Sequence, residues 1–228
     1  MTIRHKYKAA PLDKGLSSDW NDDHHIDFED ELVFSDVFFW DALSEWWDDS
    51  QSANGGTAAI DLVSGHNFVK VESSAGAGGL GVLRLGTTDI TNATDLPVAT
   101  FTIKTDTILN EEIGFFKASD TPFTANQDGA YFRISASKIY AVTGDGAGEE
   151  ANDITPATFG VNKYYQLRIK FTSTTVEFYI DDLVTYVQAN TTHITADDLT
   201  FKASAAVSGG VSQKLHMDGF GMTRARKK

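Results

Sequence analysis

The residues of this chain that could do chemistry are acids, histidines and aromatics. His24 and His25 stand beside Asp22, Asp23 and Asp27, residue types that suit a metal ion. Adjacent side chains on an extended chain point to opposite faces, so the two imidazoles cannot easily share one ion. A solvated or interface role is the expectation for them. His5, His66, His193 and His216 are scattered and form no ligand spacing. Asp145, Glu149, Glu150 and Asp153 crowd one loop, without the spacing of an EF-hand. Trp40, Trp46, Trp47 and Tyr140, with Tyr179, could stack on a sugar ring if exposed; otherwise each Trp is a core or sheet-edge residue. The chain has no cysteine, which removes a disulfide scaffold, a thiolate metal site and a cysteine nucleophile. No Gly-x-Ser-x-Gly elbow is present. No Walker loop is present, and no Gly-x-Gly-x-x-Gly precedes a helix.

Charge sets the broad class. The 228 residues carry a formal net charge of -13, from 32 acids against 19 Lys and Arg. A 41% hydrophobic content excludes wholesale disorder. The acidic balance excludes general nucleic-acid binding, which needs a basic surface. The excess is local: residues 15–69 hold thirteen acids and no Lys or Arg, and the rest of the chain balances. Both ends are basic, with Arg4, Lys6, Lys8 and Lys14 at one and Arg224, Arg226, Lys227 and Lys228 at the other. Such polarity suits self-assembly of basic arms on acidic neighbours, or plain solubility. No run reaches the roughly 18 apolar residues of a membrane span. No secretory signal is visible either, since Met1 to Lys8 runs into Ala9-Ala10-Pro11 without an apolar core.

These residues need elements to position them. Residues 1–30 are polar and read as an extended arm, residues 31–223 as one β-sandwich domain, and 224–228 as a basic tail. The clearest strand is 165–171, where Tyr165, Leu167, Ile169 and Phe171 alternate with Gln166, Arg168 and Lys170. After a Thr-Ser-Thr-Thr break, Val176, Phe178 and Ile180 alternate with Glu177, Tyr179 and Asp181, which predicts a hairpin. A third strand is expected at 184–188. Further strands are expected at 57–63, 67–72, 81–85, 98–104, 112–118, 130–135, 138–142, 199–205 and 214–223. Residues 38–47 fit neither period and are assigned a short helix or turn. About a dozen strands with almost no helical period predict an all-β, two-sheet antiparallel jelly roll.

The run Tyr164-Tyr165-Gln-Leu-Arg-Ile-Lys-Phe171, then Val176-Glu-Phe-Tyr-Ile-Asp-Asp182, resembles the concanavalin A-like, laminin-G-like sandwich family. Asp182 stands where the family often has Gly, and Met217-Asp-Gly-Phe-Gly-Met222 resembles its final strand. The resemblance implies the fold but leaves function open among lectins, hydrolases, lyases and structural modules. Many of these sandwiches bind calcium through loop acids, so the resemblance makes the Asp145–Asp153 loop a calcium candidate. Its glycosidases carry carboxylates on one strand as Glu-x-Asp-x-x-Glu, and no such motif falls in a strand here. Asp27-Phe-Glu29-Asp-Glu31 has alternate acids but lies in the acidic entry segment. A second segment, Leu16-Ser-Ser-Asp-Trp-Asn-Asp-Asp-His-His-Ile26, is similar to one near the N-termini of many phage tail and virion proteins. Ser18, Trp20, Asn21, His24 and Ile26 match its pattern and imply an assembly arm docking in a neighbour's pocket. The resulting expectation is a non-enzymatic virion structural protein of capsid or tail. It would associate with copies of itself and other virion proteins, and be made in the host cytoplasm without a secretory signal. It would neither bind nucleic acid nor enter a membrane. The alternative is a carbohydrate-binding module that reads a host surface glycan.

Overall fold

Strict alternation of apolar and polar residues is the local cause of the architecture. Tyr165, Leu167, Ile169 and Phe171 are all buried, while Gln166 and Lys170 between them are exposed. The same period buries Val176, Phe178 and Ile180, and Ala99, Phe101 and Ile103.

A computed structural model describes residues 30–36, 46–63, 66–181, 188–190, 193, 195 and 197–225. In chain order its first strands are β1 (Asp30–Asp36), β2 (Trp47–Asp48), β3 (Thr57–Val63), β4 (His66–Glu72), β5 (Leu80–Leu85) and β6 (Thr91–Asn92). A short 3-10 turn at Ala93–Asp95 leads to β7 (Val98–Thr105), β8 (Asn110–Phe116), β9 (Gly129–Ser135), β10 (Lys138–Gly144) and β11 (Glu149–Asp153). The last are β12 (Lys163–Phe171), β13 (Val176–Ile180), β14 (Gln188–Asn190), β15 (Asp198–Ala206) and β16 (Lys214–Ala225). They form two antiparallel sheets. The first runs β14-β13-β12-β7-β16-β4-β3, with β1 also on β16; the second runs β11-β10-β9-β8-β15-β5-β2, with β6 on β15. The all-β sandwich and the β12–β13 hairpin are as the alternation predicts.

β16 holds the first sheet together. One edge pairs with β7 from Leu215 to Thr223. The other pairs with β4 through Lys214–Met217 and then with β1 through Phe220–Ala225. The change of partner coincides with a register shift between Asp218 and Phe220, where Gly219 has φ +62. That left-handed residue is what a bulge needs, and glycine adopts it without strain.

Several expectations are corrected. β2 begins at Trp47, the last residue of the segment 38–47 assigned to a helix or turn; residues 38–45 of that segment lie outside the described residues. β11 is a strand where a loop was expected. Its Glu-Glu-Ala-Asn-Asp composition is poor for a central strand, and it sits at a sheet edge, where charge is tolerated. The expected strand at 184–188 lies outside the described residues except for Gln188, the first residue of β14.

The sheets close on a core of aromatic rings. Phe201 of β15 meets Phe220 at 4.3 Å, Phe101 at 5.1 Å, Phe115 at 6.2 Å and Trp47 at 6.4 Å between centroids. Most of these contacts are edge-to-face, the favoured arrangement for aromatic quadrupoles. Trp47 is therefore a core residue and is corrected from its place among the sugar-stacking candidates. Trp46 beside it is 60% exposed. Trp47→Ala should cost about 3–5 kcal/mol of unfolding free energy. Trp46→Ala should stay within about 0.5 kcal/mol. Urea unfolding of both variants checks this, and equal losses would contradict the core assignment.

Candidate functional site

The outer face of the second sheet carries a polar cluster on an apolar floor. β8 and β9 pair so that Glu112 lies opposite Arg133, and Gly114 opposite Tyr131. Phe116, Tyr131 and Val142 form a small buried cluster there, with Tyr140 packed against it, and Phe116 stacks on Tyr131 at 4.5 Å. Tyr140, a sugar-stacking candidate, is thus half-buried in this floor.

Arg133 organises the cluster. Its Nε donates to Glu112 Oε1 at 2.8 Å. Its Nη1 and Nη2 donate to Glu149 Oε1 and Oε2 at 2.5 and 3.0 Å, a bidentate pair. Nη2 also donates to the Tyr131 hydroxyl at 2.9 Å, which itself donates to Glu149 Oε2 at 3.0 Å. Glu112 is fully buried, and its Oε2 accepts from the Phe123 backbone N–H and from Gln127 Nε2, both at 2.9 Å. Burial works against the Arg133 charge, but the two carboxylates outweigh it and hold the guanidinium above its ordinary value. Burial first, then the Glu112 charge, pushes the Tyr131 phenol up, so it stays a neutral donor.

The loop from Lys117 to Asp128 walls the site. Lys202, fully buried, donates from Nζ to Ala118 O at 3.0 Å and Asp120 O at 2.6 Å. Burial lowers its pKa to about 8. Asp120 Oδ2 accepts from the Asp128 N–H at 2.9 Å. Two non-glycine residues of this loop are left-handed, Phe123 at φ +64 and Asn126 at φ +56. Asn tolerates that region, whereas an aromatic residue there is strained. Loop and sheet enclose an open cavity of about 510 Å³ lined by Asn110, Glu112, Phe123, Thr124, Ala125, Asn126, Arg133 and Glu149.

β8 cannot carry alternate carboxylates outward. After Glu112 the next such position is Gly114, with φ +152; a Cβ there would meet Ala130 O and Tyr131 Cα at 2.6 Å. The second carboxylate comes instead from β11, and Arg133 stands between the two.

The sequence candidates fall as follows. Glu149 reaches the cluster. Its loop companions have other partners: Asp145 caps Ala147 and Gly148 and touches His193 at 3.2 Å, and Glu150 accepts from Asn152 at 3.0 Å. Asp153 binds Lys138 at 2.6 Å and Thr155. The four carboxylates therefore do not converge, and among the described residues no three His, Cys, Asp or Glu side chains gather as metal ligands. His216 is brought between Asp61 and Asp106, at 3.2 and 3.3 Å, on the outer face of the first sheet. Tyr179 lies under Arg168 at 4.0 Å on that same sheet. Ser18, Trp20, Asn21, His24, Ile26 and Trp40 lie outside the described residues, as do His25, Asp27 and Glu29. Glu112, Arg133, Phe123 and Gln127 were not anticipated. The available signal was a charged residue in each of two otherwise apolar runs, Ile113-Gly-Phe-Phe116 after Glu112 and Ala130-Tyr-Phe-Arg-Ile134.

No protein-family profile matches the chain, and no curated protein matches it. Solved structures do. The VIP36 exoplasmic/lumenal domain in its Ca2+/Man3GlcNAc-bound form has TM-score 0.59 at 11% identity, over 85% of this chain and 89% of that one. The Bacillus licheniformis β-glucanase has TM-score 0.58 at 10% identity, over 85% and 98%. A carbohydrate esterase of the Shiga toxin-encoding bacteriophage phi24B has TM-score 0.55 at 13% identity, over 86% and 100%. The fold is the concanavalin A-like jelly roll. These matches correct the expectation of a non-enzymatic chain: a glucanase and an esterase share the fold, so the fold gives no ground for excluding catalysis.

Two consequences of the geometry are measurable. Arg133→Met strands the buried Glu112 carboxylate and should cost roughly 3–5 kcal/mol in chemical denaturation; a loss below about 1 kcal/mol would mean the ion triad is not formed. Next to it, Glu111 is fully buried and its carboxyl accepts from Thr107 Oγ1 at 2.5 Å and from the Asn110 N–H at 3.1 Å. Burial raises its pKa from 4.5 to about 8. The folded state then holds a proton that the unfolded chain releases. The stability contributed by Glu111 is full below about pH 4.5 and is lost as pH rises to about 8. Urea midpoints across that window should fall with pH, and Glu111→Gln should flatten the slope.

Proposed function

We propose that this jelly roll is a glycan-recognition domain whose binding site is the cavity over Glu112, Arg133 and Glu149. The observation that carries the reading is the fixed carboxylate–guanidinium–carboxylate cluster at an open cavity large enough for a small ligand, beside Phe123 in a strained conformation. Sugars are recognised by planar polar side chains that hydrogen-bond hydroxyls and by aromatic rings under their C–H faces. Glu149, Asn110 and Asn126 are of the first kind, and Phe123 is of the second. The fold's occurrence in a Man3GlcNAc-bound lumenal domain, a β-glucanase and a carbohydrate esterase supports the reading.

A panel of soluble oligosaccharides tested by calorimetry should yield a ligand. Phe123→Ala should weaken it about tenfold or more, with an unchanged circular dichroism spectrum. Reducing-end and acyl-release assays on the same panel would show whether the bound glycan is also turned over. Failure of every oligosaccharide to bind, or full affinity in Phe123→Ala, would refute this site.

A second reading places this domain on a virus particle. It rests on the segment from Leu16 to Ile26, similar to phage tail and virion proteins, and on the phage origin of one structure of the same fold. In that setting the N-terminal residues dock the chain to other virion proteins or to copies of itself, and the sandwich presents the cavity to a surface glycan. A chain lacking residues 1–29 should keep its fold and its ligand but fail to join particles.

A further inference from the structure

The hydrogen bonds of Arg133 bear on which glycans the cavity accepts, an inference that rests on the glycan-binding reading above. A free arginine at a sugar site is the usual partner of a uronate, a sialate or a sulfate, because its fork matches their oxygens. Here the fork is committed. The Nε–H goes to Glu112, and one N–H from each terminal nitrogen goes to Glu149. The other Nη2–H goes to the Tyr131 hydroxyl. Four of the five N–H groups of a guanidinium are thereby used inside the protein. One cation is shared between two carboxylates, which leaves the cluster one negative charge in excess.

Acceptors remain on the ligand side. Glu149 Oε1 has a single partner, Arg133 Nη1, and its side chain is 18% exposed. Asn110 and Asn126 at the cavity can donate or accept but carry no charge. Lys202, the cation under the wall loop, is buried on backbone carbonyls. The chain as a whole has net charge -13, so long-range attraction does not favour an anion either.

We infer that the cavity selects uncharged or amino-substituted sugars, received as hydroxyl or ammonium donors, and turns away uronate-bearing and sulfated ones. Glu149 is the selecting residue, because it is the part-exposed carboxylate of the cluster.

The test titrates the full chain with three oligosaccharides of equal length: a cello-oligosaccharide, a chitosan oligomer and an oligogalacturonide. At low salt the oligogalacturonide should bind at least about tenfold more weakly than the cello-oligosaccharide, and the chitosan oligomer at least as tightly. Added salt should narrow both gaps. Glu149→Gln should shrink the discrimination against the oligogalacturonide to about threefold or less. Asp153→Asn, on the same strand but paired with Lys138 away from the cavity, should leave it unchanged. Asn126→Asp adds a carboxylate at the cavity without disturbing the ion triad, and should widen the gap even if Glu149→Gln proves unstable. Oligogalacturonide binding equal to or tighter than the neutral ligand overturns the selectivity and leaves the glycan-binding reading standing. An equal effect of Asp153→Asn and Glu149→Gln overturns the role of Glu149. Binding of none of the three overturns the selectivity, and failure of the whole oligosaccharide panel overturns the glycan-binding reading with it.

Discussion

One guanidinium with a carboxylate on either side is the constraint around which the candidate site is built. A buried carboxylate such as Glu112 is costly unless a cation and further donors satisfy it. Arg133 supplies the cation, and the Phe123 N–H and Gln127 amide supply the donors. These partners belong to β9 and to the loop that closes over β8. Once Glu112 is buried on β8, the position of that loop follows, because its backbone must deliver an N–H to Oε2. The strained φ of Phe123 is the local consequence.

The two outer faces differ in kind, although both are charged. On the first sheet Lys214, Glu72 and Lys70 form a ladder with separations of 3.1 and 2.9 Å, all partly exposed. Pairs of that sort contribute little, since water screens them and long side chains lose freedom in making them. On the second sheet the charges of Glu112, Arg133 and Glu149 are largely withdrawn from water beside the wall loop, each with more than one directed partner. Buried, fully connected polar groups position one another much more tightly than surface pairs do. This is why the second face, and not the more densely charged first, is where a ligand would meet preset geometry.

The fold was largely legible in the sequence because alternation reports burial directly. The β12–β13 hairpin followed from Tyr165, Leu167, Ile169 and Phe171 against Gln166, Arg168 and Lys170. Acidic β11 was hidden, because an edge strand need not obey the composition of a buried one. The adjacent Trp46 and Trp47 were not separable in the sequence: their segment fitted neither period, and only the pairing of Trp47 with Leu85 shows which of the two turns inward. The candidate site was the least visible. Glu112, Arg133 and Glu149 come from three strands and share no motif, and Glu149 read as one acid in an acidic loop. What joins them is the meander β8-β9-β10-β11, a fact of topology.

The way the wall loop is held explains how such a site can be both polar and ready. Lys202 grips it at Ala118 and Asp120, Glu112 at Phe123, and the Lys117 N–H bonds Asp128 O at 3.0 Å, where the loop returns to the sheet. Asp89 adds a bond to the Ala118 N–H at 2.7 Å, and Gln51 one to its carbonyl at 3.1 Å. The residues between Phe123 and Asn126 are thus a short span between fixed ends. Ordering a loop on binding subtracts from affinity, and a span already tied at both ends has little left to order. The same ties make the cavity depend on groups that never touch a ligand. Lys202 is chief among them: burial lowers its pKa to about 8, so mildly alkaline pH removes a proton from the clamp while leaving Arg133 charged. The neutral amine keeps two donors for the two carbonyls but loses the charge that strengthens both bonds. The wall should therefore loosen before the ion triad does.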